Sequence, residues 1–177
     1  MTQQETVEAL RRQGVRFSIR EEGFLDLCEA ELFEGHLEEA NLRGAHLQRA
    51  VLAGSNLARA DLHEATLVKA DLRGVILEGA ILTRAHLGQA NLRGAHLRGA
   101  NLSAANLKQA ILEQADLRQA RLWGDARGCD LRRADLRGAD LRLASLQGAE
   151  LQEAVFNAET KWPEGFDPQA RGAVRRN

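Results

Sequence analysis

Proline and cysteine each occur only twice in this 177-residue chain, and no apolar stretch approaches the length needed to span a bilayer. Each shortage removes a class of protein. With so few prolines, 28% charged residues and a net charge of -1, the chain reads neither as a disordered tail nor as a globally basic nucleic-acid binder. Met1 to Gln13 carries Glu5, Glu8, Arg11 and Arg12 but no apolar core of a leader, so no secretory signal is expected and the expected compartment is the cytoplasm. The length fits a single domain, with no linker composition anywhere.

What the chain does have is a repeat. Every fifth residue from Leu27 to Leu122 is leucine, twenty without interruption, and the residue two before each is nearly always alanine. A period of five fits neither the 3.6-residue helix nor strand alternation, so these positions share one interior only if the chain turns at every pentad. The unit is Ala, often Asp or Asn, Leu, then two variable residues, as in Ala60-Asp61-Leu62-His63-Glu64; these are positions one to five. Between residues 30 and 120, position one departs from alanine only at Gly35, Ser55 and Val75, spaced by twenty. That spacing points to four pentads per coil.

The pattern resembles the pentapeptide-repeat family, with its A(D/N)LXX consensus. The resemblance implies an all-β solenoid, a right-handed quadrilateral parallel β-helix. Residues 25–158 carry the repeat. Residues 1–24 are expected to form a short amphipathic helix and N-terminal cap, with Val7 and Leu10 on its apolar face and Gly14 as its stop. Residues 159–177 form a non-repeat C-terminal segment in which Trp162-Pro163-Glu164-Gly165-Phe166-Asp167-Pro168 resembles a closing tail common among cyanobacterial members. Trp162 and Phe166 are assigned to that lid, and the two prolines are expected to end the ladder.

Within the coil, position three should point to the axis and position one should be small for lack of volume. Position-five glycines such as Gly44, Gly94 and Gly148 fall where a corner needs positive φ, and position-two Asp and Asn are placed to bond nearby backbone. Cys129 takes an inward position one about five coils beyond Cys28, which excludes a disulfide. One pentad is short: Leu131 follows Leu122 by nine residues instead of ten, and Ala126 takes the intervening position three.

Chemistry is harder to find. His36, His46, His86 and His96 at position two and His63 at position four are spread over coils stacked roughly 4.8 Å apart, too far to converge on a metal. No catalytic triad or phosphate loop stands out, so neither an enzyme, a cofactor nor a small-molecule substrate is expected. Residues 21–39 hold eight acidic side chains and no Lys or Arg, while later coils gain arginine. This reads as a solvated wall with local Asp–Arg pairing or, more sharply, as two poles that orient a partner.

The expected function is a rigid interaction scaffold for an unidentified protein partner, without a membrane or nucleic-acid role. Candidate contact residues are Trp123 with Arg121 and Arg127 at the phase break, and Val68, Ile76 and Ile81 as outward apolar groups. The alternative is a DNA mimic that binds gyrase, as in the quinolone-resistance branch of the family. A mimic requires continuous negative charge, which this chain lacks.

Overall fold

The computed structural model describes residues 1–176; Asn177, the last residue of the expected closing segment, lies outside the described residues. Helix α1 (Gln3–Arg12) is followed by strands β1 (Ser18–Ile19) and β2 (Leu25–Asp26), a long run of pentads, β3 (Val155–Phe156), a 3-10 turn at Gln169–Arg171 and β4 (Val174–Arg175). Among the described residues no helix is long and apolar enough to cross a membrane.

From Asp26 to Asn101 each position-two residue bridges in parallel to one twenty residues later: Asp26 to His46, Glu31 to Val51, His36 to Asn56, Asn41 to Asp61. Four ladders therefore run along the chain, one per pentad of a coil. We number these sides one to four from Asp26, Glu31, His36 and Asn41. Gly35, Ser55 and Val75 meet on side three, where Asn56 N–H donates to the Gly35 carbonyl and Ile76 N–H to the Ser55 carbonyl. Position-three leucines and position-one alanines are buried along the whole column. Ser55, the polar exception, is satisfied by donating to the Leu52 carbonyl at 2.6 Å.

Backbone bonding explains why the pentad is the unit. Position two donates to position one of the coil before, position three to position two of the coil after, and position five to position four of the coil after, as in Asp61 N–H to Ala40, Leu42 N–H to Asp61 and Gly44 N–H to His63. Position one closes a turn onto position three of the pentad before it, as Ala45 does onto Leu42 at 3.0 Å. The position-four N–H remains. Asp or Asn at position two accepts it: Asn41 from Arg43, Asp61 from His63, Asn101 from Ser103. The family-like Asp and Asn thus complete the backbone accounting at the corners where they stand.

Most of these turns take positive φ at their third residue, as a type II turn does, with Leu143 an exception. Glycine meets this at many corners, but fifteen non-glycine residues adopt φ between 52° and 62° there. Each carries a local cost of about 1–2 kcal/mol, held in place by the ladder bonds on both sides of it.

The two ends are covered differently. Thr2 and Glu5 form a capping box that starts α1, and Val7 and Leu10 insert into the column's apolar core. In the first coil the position-two amides of sides three and four have no coil beneath them, and α1 and the Gln13 that caps it supply acceptors instead. Asn41 N–H donates to Thr6 Oγ1 at 2.9 Å, and His36 N–H to Gln13 Oε1 at 2.8 Å. On side one the same role falls to β1, which pairs antiparallel with β2 across the Arg20–Phe24 turn. The sequence pattern does not disclose this hairpin, because β1 has no five-residue phase.

At the far end the repeat is interrupted rather than abandoned. Lys161 still bridges Asp140, twenty-one residues back, and places Trp162 at an inward position three above Leu141. Pro163 to Gly172 then crosses the open end. Phe166 stacks on Trp162 at 5.3 Å between ring centroids, and Trp162 meets Phe156 edge-on at 5.6 Å. Val174 rejoins side three in parallel with Val155. The expectation that the prolines end the ladder holds for the crossing segment alone, since proline's missing N–H matters only where a ladder bond is needed.

Candidate interaction surface

The short pentad is Ala120-Arg121-Leu122-Trp123, with position five missing. Ladder spacing drops to nineteen from Asn106–Asp125 through Arg121–Asp140, then returns to twenty at Asp125–Ser145. Gly124 becomes the next position one, its carbonyl accepting from Ser145 N–H at 2.9 Å. A β-carbon at Gly124 would collide with the Ala105 backbone carbonyl, so the tightened corner requires glycine.

Losing the turn residue swings Trp123 against the wall. Its ring is half-buried, with the Arg121 guanidinium 4.6 Å and the Arg142 guanidinium 5.9 Å from the ring centroid. The indole Nε1 is buried without a hydrogen-bond partner in good geometry, yet its proximity helps hold down the Asp140 carboxyl. Arg142 is the main cause there, clamping Asp140 through Nε at 3.0 Å and Nη2 at 2.7 Å.

That clamp is one of four in a ring. Asp125–Arg127, Asp130–Arg132, Asp135–Arg137 and Asp140–Arg142 occupy the four sides of a single coil, each with a guanidinium within 2.7 Å of a carboxylate oxygen. The side-chain bond from Arg127 lowers Asp125 to about 2, and Arg132 similarly holds Asp130 below its ordinary range. Arginines that made the later coils look basic are therefore largely paired. Ion pairs also climb between coils, as at Glu29–Arg49, Glu39–Arg59 and Glu64–Arg84. Inside the ring, burial pushes the Cys129 thiol up to about 12, while Cys28 is exposed and donates to Gln48.

The structure regroups the sequence candidates. Arg121, Trp123 and Ile81 belong to side four, where Ile81, Asn101 and Arg121 are consecutive rungs. Arg127 lies around the corner on side one and is committed to Asp125. Ile76 is on side three and half-buried, and Val68 follows Thr66 on side one, opposite it. The three aliphatic residues share a coil but not a patch. Sequence reasoning missed Leu143, which is 70% exposed beside Arg142 at the corner after side four. Its signal was available: it is a leucine off the five-residue phase.

The family model for pentapeptide repeats matches residues 40–79, 80–119 and 125–157, leaving out the segment that contains the short pentad. The crystal structure of HetL, a pentapeptide repeat protein involved in heterocyst differentiation regulation from the cyanobacterium Nostoc sp. strain PCC 7120, is 31% identical. It aligns over 84% of this chain and 78% of HetL, with a TM-score of 0.56. A second pentapeptide repeat protein from Nostoc PCC 7120 is 39% identical over 68% of this chain and 84% of its own, with a TM-score of 0.32. A trypsin-treated form of QnrB1, a plasmid-mediated fluoroquinolone resistance protein, is 14% identical over 86% of this chain and 89% of that one, with a TM-score of 0.54. No curated protein matches the sequence.

Proposed function

Because this chain belongs to the pentapeptide-repeat family, we propose that it is a non-catalytic, rigid scaffold that binds a protein partner through the later coils of side four, in the cytoplasm. The observation that carries the reading is the Arg121–Trp123–Leu143 cluster at the one shortened pentad. An aromatic anchor held between guanidinium groups, next to an exposed aliphatic side chain, has the composition of a binding hot spot. Around it Asn101, Ser103 and Ala104 keep the wall low, so a flat partner can approach. The reading includes a right-handed coil, the hand strongly favoured for parallel connections, with α1 and the Pro163–Gly172 crossing acting as caps against edge-to-edge aggregation.

Immobilised protein tests this. Trp123→Ala is expected to keep the thermal midpoint within about 4 °C, since it removes a half-buried side chain, and to lose a partner that the parent retains. Equal capture by parent and variant sinks the assignment of side four. The DNA-mimic reading gains nothing from QnrB1, whose 14% identity carries the fold alone. The Asp–Arg ring also interrupts the negative surface that a mimic needs.

A further inference from the structure

The two most exposed large apolar side chains among the described residues are Leu143 at 70% and Phe33 at 62%. They stand at opposite ends of the column and on opposite corners. Phe33 occupies position four at the corner between sides two and three of the first coil, and Leu143 and Trp123 lie at the corner between sides four and one. In a four-cornered coil those corners are diagonal.

Their charges are complementary. Glu29 and Glu39 are paired with Arg49 and Arg59, whereas Glu31 and Glu34, which flank Phe33, have no ion-pair partner among the described residues. Around Trp123 the reverse holds. Arg121 and Lys161 sit on one ladder either side of Asp140, and Asp140 is taken by Arg142, so both cations are exposed without a carboxylate partner among the described residues.

We propose that the side-four surface takes a second copy of this chain, whose Phe33 and Glu34 corner seats against Trp123, Leu143 and Arg121. This rests on side four being a docking surface and names its occupant. Because the two corners are diagonal, a neighbour reaches this contact by translation alone: sideways along the diagonal and about 20 Å along the axis, roughly four coil spacings. With the axes parallel, the next coil then brings the small pair Ala53–Gly54 opposite Leu143, where there is room for it. The contact is heterologous, so it leaves one unused surface at each end and extends into open oligomers.

Sedimentation velocity on the intact chain tests this. The sedimentation coefficient is expected to rise with concentration at about 0.05 M salt, and the association to weaken at least about tenfold at about 0.5 M salt, as screening removes the Glu–Arg attraction. Phe33→Ser and Trp123→Ala should each be monomeric. Mixed together they should form a dimer and stop there, because each variant retains one of the two surfaces. Leu143→Ser replaces Trp123→Ala if circular dichroism shows that the latter is unfolded. A parent that stays monomeric throughout overturns the proposal, as does association that survives in either variant or a mixture that fails to pair. A monomeric parent that still loses its captured partner on Trp123→Ala removes self-association and leaves the scaffold reading standing.

Discussion

At the residue scale, the pentad assigns each position one physical task, and departures from it are informative. Gly124 is the sharpest case, since its missing β-carbon is what lets the corner close without a fifth residue. Gly124→Ala is expected to cost about 2–3 kcal/mol in urea denaturation, the range of overpacked backbone contacts. Gly94→Asn, at φ 66° with open space around it, should cost about 1 kcal/mol or less. Equal costs would mean that the collision is relieved by backbone movement. The Asp–Arg ring makes a second prediction. Bonds from Arg127 and Arg142 lower the Asp125 and Asp140 carboxyls in the folded state, Asp125 to about 2 from an ordinary 3.8. A depressed carboxyl stabilises the fold fully above its unfolded value, and that contribution is lost as pH falls through the folded value. Acid unfolding followed by circular dichroism should therefore steepen between pH about 4 and about 2. Asp125→Asn with Asp140→Asn should flatten that slope; an unchanged acid limb would place the pH sensitivity elsewhere.

At the scale of elements, α1 stands in for a missing coil. Buried Thr6 accepts from Asn41 N–H and itself donates to the Thr2 carbonyl at 3.0 Å, which ties the helix to the first rung of side four. Thr6→Val keeps the shape and leaves the Asn41 amide without a partner, so a loss of about 1–3 kcal/mol is expected from chemical denaturation. A neutral result would show that water reaches that amide. The helix was legible in the spacing of Val7 and Leu10 and in Gly14, which has φ 69°. The β1–β2 hairpin and the return of Val174 to side three were not. Both are pairings between segments outside the phase, and a two-residue strand has no periodicity from which to be read.

For the whole molecule, repetition makes stability close to a sum over coils and their neighbours. Excising residues 80–99 removes one coil and joins Gly79 to Ala100, position five to position one, with every ladder kept in register. The shortened chain is expected to fold, with a urea m-value lower by about a tenth, in proportion to the surface lost. Failure to fold would show that the coils are not interchangeable and that this stretch nucleates the rest. Charge, too, is a property of the whole column. The late arginines looked like a basic pole in linear order, but Arg118, Arg127, Arg132, Arg137 and Arg142 each pair with an Asp two residues earlier in the same pentad, and Arg93 and Arg133 pair with a Glu of the next coil.

By itself the sequence determined the four-sided column, its inward Leu and Ala, its corners and the place where it breaks, because a repeat that each coil imposes on the next leaves one way to bury twenty phased leucines. It also singled out Trp123 and Arg121. Only the tertiary structure decided which outward residues are neighbours: a side is assembled from residues twenty apart, and whether a cation is free depends on what stacks beside it. Ile81 joined Trp123 while Val68 and Arg127 left it, and the out-of-phase Leu143 and Phe33 became visible, because exposure and pairing are set by the packing of coils and not by order along the chain.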